Sequence, residues 1–105
     1  MHRNNENSGF NARCHALLKQ IPRGRVTTYK AIAEALGTKA YRAVGRAMAT
    51  NPDLIIIPCH RVVNSDGRLG GYSGGIKKKI ELLEEEGVRI EAGKVVDFQA
   101  LLYVF

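Results

Sequence analysis

The 105-residue chain is 45% hydrophobic and 25% charged, the size and composition of one globular domain with a single core. Its apolar runs, such as Leu54 to Ile57 before Pro58, are short, and its start, Met1 to Gly9, is polar; this excludes a bilayer-spanning helix, which needs about 20 apolar residues, and a secretory signal. The net charge is +6, with eleven Lys/Arg and four Asp/Glu in residues 1–68 against five and six in the remainder, so the first two thirds suit a phosphate-facing surface as readily as a merely cationic one.

Residues 1–9 read as a disordered tail and residues 10–105 as the domain. Apolar residues at Phe10, Cys14, Leu17, Leu18 and Ile21 have helical spacing, and Pro22 stops that helix. Pro22-Arg23-Gly24-Arg25 is a basic turn. Thr27 or Thr28 can cap a second helix from Tyr29 to Leu36, with Ile32, Ala33 and Leu36 inward and Gly37 just past its end. Thr38-Lys39 connects it to a third helix, Ala40 to Thr50, closed by Asn51-Pro52. Two short helices across a tight, Gly-containing turn form a helix-turn-helix pattern. The third helix would then meet DNA. It is rich in small residues (Ala40, Ala43, Gly45, Ala47, Ala49) and carries Arg42 and Arg46 one turn apart. The alternative is a close helix–helix contact with two solvated arginines.

Leu54-Ile55-Ile56-Ile57 reads as a short buried segment and Val62-Val63 as an extended one. Asn64-Ser65-Asp66-Gly67 is a turn, and Gly70 to Gly75 is a glycine-rich loop. A further helix from Ile76 to Glu86 turns Ile76, Ile80 and Leu83 inward and ends at Gly87. The rest, to Phe105, reads as one or two short strands or an appended helix. The elements add up to a mainly α domain with short β segments.

The two cysteines, Cys14 and Cys59, have no partners at zinc-site spacing. They read as free thiols of a reducing compartment, which points to a cytoplasmic protein (nucleoid-associated in a prokaryote). Cys14 lies on the apolar stripe of the first helix and reads as inert. Cys59 is followed by His60 and Arg61. A free thiol has a pKa of about 8.5, and a neighbouring imidazole and cation favour the thiolate. Direct neighbours in a strand face opposite ways, so His60 acts on Cys59 only where the backbone bends, or through a water. A carboxylate must orient it, and Glu84, Glu85 and Glu86 are available. The competing reading is a buried, inert cysteine. The glycine-rich loop lacks the ending of a P-loop and the spacing of a dinucleotide fingerprint; it better suits the close approach of a base to the backbone.

Pro58-Cys59-His60-Arg61-Val62-Val63 resembles the active-site signature of the O6-alkylguanine-DNA alkyltransferases, the methylated-DNA–protein-cysteine methyltransferases. Arg42-Ala43-Val44-Gly45 resembles that family's recognition helix, Asn51-Pro52 its hinge, Tyr72-Ser73-Gly74-Gly75 its substrate loop, and Leu82-Leu83 with Glu86-Gly87 the helix supplying the orienting glutamate. The resemblance covers roughly residues 10–90. It implies a winged helix-turn-helix-like catalytic domain that flips O6-alkylguanine out of double-stranded DNA and irreversibly transfers the alkyl group to Cys59. In that scheme His60 takes the thiol proton through a water, Glu86 orients His60, Tyr29 donates to N3 of the departing guanine, and Asn51 braces the cysteine turn. Arg42 fills the gap in the duplex, with Ala43, Gly45, Arg46, Thr28 and Arg61 also on the DNA side. Tyr29, Cys59, Val62, Tyr72, Ser73 and Gly74 hold the base. A monomer with no cofactor, no metal and no membrane association is expected.

Most members of that family carry a domain ahead of the catalytic one, in some with a zinc site; neither is expected here. A bare catalytic domain is also the form of the alkyltransferase-like proteins, which replace the cysteine and flag O6-alkylguanine for nucleotide excision repair. Retention of Cys59 favours transfer over that alternative. Beyond about residue 90 no motif of the family is recognisable.

Overall fold

A computed structural model describes residues 2–53 and 56–105, with side-chain surroundings from residue 9 onward. Helix α1 spans His2–Leu18. It therefore starts inside the stretch expected to be a tail: no proline interrupts residues 2–18, and extending a helix costs far less than nucleating one. Single turns follow, Gln20 N–H donating to Leu17 O and Ile21 N–H to Leu18 O, before Pro22 forbids continuation. The C-terminal half of α1 packs on α3 (Tyr41–Ala49), burying Cys14 and Leu18 against Val44 and Ala47. His15 Nε2 donates to Ala47 O at 2.8 Å across the same contact.

Thr28 has two structural tasks. With Thr27 it forms β1 (Thr27–Thr28), and its extended backbone (φ −125°, ψ 159°) is also the conformation an N-cap needs. Its Oγ1 accepts from Ala31 N–H at 2.9 Å and starts α2 (Tyr29–Ala35). Gly37, at φ 73°, lets the chain turn out of α2, and Ile32 and Ala33 pack on α3. The pair α2–α3 is the expected helix-turn-helix.

A short 3-10 turn, Cys59–Arg61, leads into β2 (Val62–Val63). The strand β2 pairs in parallel with β1, Thr27 opposite Val62 and Thr28 opposite Val63. Alternation along β2 sends its two valines to different cores: Val62 joins Leu18, Ile32, Val44 and Met48, and Val63 joins Val26, Leu69, Leu83 and Val88. Helix α4 (Ile76–Glu85) closes the second core. The remaining chain is both alternatives at once: a hairpin of β3 (Ile90–Glu91) and β4 (Lys94–Val95), then a short helix, α5 (Phe98–Leu101). The last residues return beside β1. Val26 N–H donates to Leu101 O, Tyr103 N–H to Val26 O, and the Arg25 guanidinium to Leu101 O and Leu102 O.

Two inward assignments are corrected. Ile56 is 63% exposed while Ile57 is buried, because Asp53 bends this segment into a turn: its Oδ1 accepts from Ile56 N–H and its carbonyl from Ile57 N–H. Leu54 and Ile55 lie outside the described residues. In α4, Ile76 is 46% exposed, and the fully buried positions are Lys79 and, four residues on, Leu83. Among the described residues, no helix is long and apolar enough to cross a membrane.

Candidate active site

Asn51, just beyond α3, organises the cysteine turn. Its Oδ1 accepts from Asp53 N–H (2.8 Å), and its Nδ2 donates to Ile57 O (2.7 Å) and to Cys59 Sγ (3.3 Å). Cys59 N–H donates to Ile57 O and Arg61 N–H to Pro58 O. The backbone thus bends at Cys59, the condition His60 needed to act near its neighbour.

His60 Nε2 donates to Glu86 Oε2 at 2.9 Å, and both side chains are only 6% exposed. Glu84 and Glu85 stay on the outside of α4; Glu86, its C-cap, is the carboxylate that faces inward. An imidazole whose Nε2–H is held by a carboxylate carries its lone pair on Nδ1. That Nδ1 is buried and has no hydrogen-bond partner among the described residues. Burial pushes the imidazole pKa down, further helped by Arg61 and Lys79 and opposed by Glu86, with a net lowering. His60 is therefore neutral at physiological pH, with a basic nitrogen unengaged.

Burial pushes the Cys59 thiol up; the Asn51 hydrogen bond and the charge of Lys79 offset this only in part. The side chains around Cys59 consequently do not hold a preformed thiolate, contrary to what the neighbouring His-Arg pair suggested. A nucleophile at this position would have to be made by proton removal, which a neutral, unengaged imidazole can supply. Burial, reinforced by Cys59, also raises the Tyr29 phenol, keeping it a proton donor.

Tyr29, Gly45, Met48, Ala49, Cys59, Gly71, Tyr72 and Ser73 line a cavity of about 330 Å³, within the range of small-molecule sites. Of the residues expected to hold a base, Tyr29, Cys59, Tyr72 and Ser73 meet there. Gly74 is exposed outside the lining, and Val62 is fully buried, its carbonyl accepting from Lys79 Nζ at 2.7 Å. Of the residues expected to face DNA, Arg42 and Arg46 are exposed on α3, Ala43 is half-buried and Gly45 opens onto the cavity. Two assignments to that face are corrected. Thr28 is buried, its hydroxyl committed to capping α2. Arg61 turns its guanidinium inward, to Glu86 and to Ile21 O.

Lys79 escaped the sequence reading. Its Nζ donates to the carbonyls of Val62, Leu69 and Gly71, encircling the loop that runs from the cysteine turn to Ser73. Burial drives its pKa down to about 8. The available signal was position: Lys79 lies four residues before Leu83 on the face α4 buries, although it ends a Lys77-Lys78-Lys79 run that resembles a solvated face.

Residues 9–88 match the family model for 6-O-methylguanine DNA methyltransferase, DNA binding domain. The chain belongs to this family. A methylated-DNA–protein-cysteine methyltransferase of Saccharolobus islandicus is 59% identical over 71 residues, covering 68% of this chain and 46% of that protein. The chain thus spans about half the length of the curated relatives it matches. Among solved structures, the O6-methylguanine-DNA methyltransferase of Pyrococcus kodakaraensis is 51% identical, with a TM-score of 0.70 over 75% of this chain and 46% of that one. Atl1 of S. pombe, in complex with damaged DNA containing O6-carboxymethylguanine, is 30% identical, with a TM-score of 0.80 over 91% of this chain and 95% of that one. The mostly helical fold with short strands is the fold of these structural neighbours.

Proposed function

We propose that this methyltransferase-family domain repairs DNA by taking the alkyl group of O6-alkylguanine onto Cys59, once per molecule. The observation that carries the reading is the buried Cys59 sharing a pocket with Tyr29 and Tyr72 while the neighbouring His60, held by Glu86, keeps Nδ1 unengaged. A stacked O6 atom is out of reach, so the nucleotide must leave the duplex. Arg42, exposed on the small-residue helix α3, fills the gap it leaves. His60 Nδ1 takes the thiol proton through a water. Sγ then attacks the alkyl carbon, the C–S bond forming as the C–O6 bond breaks, and Tyr29 protonates the departing guanine at N3. The thioether has no route back to a thiol, so one chain repairs one lesion. Asn51 keeps Sγ in place throughout.

A second reading, binding of the lesion without transfer, draws support from the breadth of the likeness to S. pombe Atl1. Intact-mass measurement after incubation with an O6-methylguanine duplex separates the two. Transfer adds the mass of one CH2 to the wild type and nothing to Cys59→Ala, which still binds the duplex. Binding alone adds nothing to either.

The role of Arg42 has its own test. Arg42→Ala is expected to slow reaction with an alkylated duplex by at least tenfold, the equivalent of about 1.4 kcal/mol, while leaving reaction with free O6-benzylguanine nearly unchanged. Equal slowing of both would remove Arg42 from the flipping step.

A further inference from the structure

We propose that Arg61 is a positioning residue for the reaction, clamping Glu86 so that the carboxylate orients His60 without capturing it as an ion-paired imidazolium. The inference rests on the reading of Cys59 as alkyl acceptor. Arg61 Nε donates to Glu86 Oε1 at 2.9 Å and Nη2 to Oε2 at 2.6 Å, a side-on fork. Oε2 is the same oxygen that receives His60 Nε2, so imidazole and guanidinium share one anion. Nη1 donates to Ile21 O at 2.7 Å, which ties the fork to the turn ending α1. Residues 21, 61 and 86, from three separate segments, thus meet on one cation whose side chain is 15% exposed. Each nitrogen of the guanidinium makes one of these inward hydrogen bonds.

The electrostatic consequence follows from what surrounds His60. Glu86 is the anion against it; Arg61 on its own turn and Lys79 from α4 are cations; the Cys59 thiol precedes it and the Tyr72 ring stands edge-on at 6.5 Å. With Arg61 present, Glu86 is already neutralised and a second positive charge on the imidazole gains little. With Arg61 removed, Glu86 keeps His60 as its one side-chain partner among the described residues, in a buried site, and an opposite charge at hydrogen-bond distance favours protonation. A protonated His60 has no lone pair to accept the Cys59 proton.

Two variants of the full chain test this: Arg61→Met, which removes the charge, and Arg61→Lys, which keeps a charge but not the fork. The His60 titration is followed by NMR of the imidazole nitrogens in the free protein, and single-turnover methyl transfer from an O6-methylguanine duplex is followed against pH. Arg61→Met is expected to raise the His60 midpoint by about one pH unit and to move the acid limb of the rate profile by the same amount, slowing transfer about tenfold on the acid limb, below the wild-type midpoint, but little at alkaline pH. Arg61→Lys should fall between. An unchanged His60 midpoint overturns the proposal, as does a rate loss uniform across pH, the signature of a purely structural residue. Should Arg61→Met fail to fold, Arg61→Lys decides by the same two readouts. If the wild type accepts no methyl group, the reading of Cys59 fails, while the NMR titration still decides the role of Arg61.

Discussion

Replacing Glu86 with Gln is expected to slow alkyl transfer by about two to four orders of magnitude, the usual contribution of a positioned general base, and also to destabilise the fold. Both effects have one origin. The carboxylate is buried at the end of α4 and is the meeting point of His60 Nε2 and two nitrogens of Arg61. Burial alone would raise its pKa, yet the hydrogen bonds and charges of Arg61 and His60 outweigh it and hold the group below the usual carboxylate range. A neutral amide offers one acceptor in place of two and leaves the Arg61 guanidinium buried without its counter-charge. Breaking such a buried pair on one side typically costs about 3–5 kcal/mol. The same linkage gives a pH dependence with a definite sign. Because the folded-state pKa of Glu86 is depressed, its contribution is fully present above the unfolded carboxylate value and is lost as pH falls through the folded one. Urea unfolding at neutral pH, together with single-turnover transfer kinetics, checks both parts. An unaltered rate would detach Glu86 from His60's task.

Lys79 supplies the second large effect. Its folded pKa, about 8, lies below the ordinary lysine value of 10.5, because burial penalises the ammonium. The unfolded chain therefore binds more protons between these two values, and stability rises with pH across that window. The difference corresponds to about 3 kcal/mol. The raised thiol and phenol groups Cys14, Cys59, Tyr29 and Tyr72 act in the opposite direction above their ordinary values, so the comparison that isolates Lys79 is wild type against Lys79→Met. Their stability difference should shift in favour of the wild type by about 3 kcal/mol from below pH 8 to about pH 10.5. A difference that stays flat with pH would mean that Lys79 is not a titrating ammonium at its three carbonyls. The substitution also strands those carbonyls of Val62, Leu69 and Gly71, each a loss of about 1–3 kcal/mol where water cannot reach. Because Gly71 and Ser73 line the pocket, the loop is also expected to lose its grip on substrate.

The parts of this design that were readable from the sequence are those governed by local rules. Helices α2 and α3 announce themselves through the Thr28 cap, the apolar face of Ile32 and Ala33, and Gly37 at a positive φ. Cys14 sits on the α1 stripe and is fully buried, as an inert thiol would be. What escaped is non-local. The pairing of β1 with β2 joins residues 35 apart in sequence through strands of two residues, too short to show any alternation. Lys79 was not legible because a buried ammonium is tolerable only where distant carbonyls converge on it, and Val62, Leu69 and Gly71 do so only in the fold. Arg61 looked like a DNA contact for the same reason: nothing in the sequence says that Ile21 O and Glu86 will face it. The choice of Glu86 among three consecutive glutamates came from the family resemblance, and the geometry behind it is that the C-cap of α4 is the position turned toward the cysteine turn.

In the proposed reaction Cys59, and not Cys14, accepts one alkyl group and is not regenerated. Peptide mapping by tandem mass spectrometry, after reaction with excess O6-methylguanine duplex, tests it most directly. One methyl group per chain on the Cys59 peptide, with Cys14 unmodified and no further uptake on prolonged incubation, is the predicted result. An unmodified Cys59, or continued release of demethylated DNA beyond one equivalent, would contradict it.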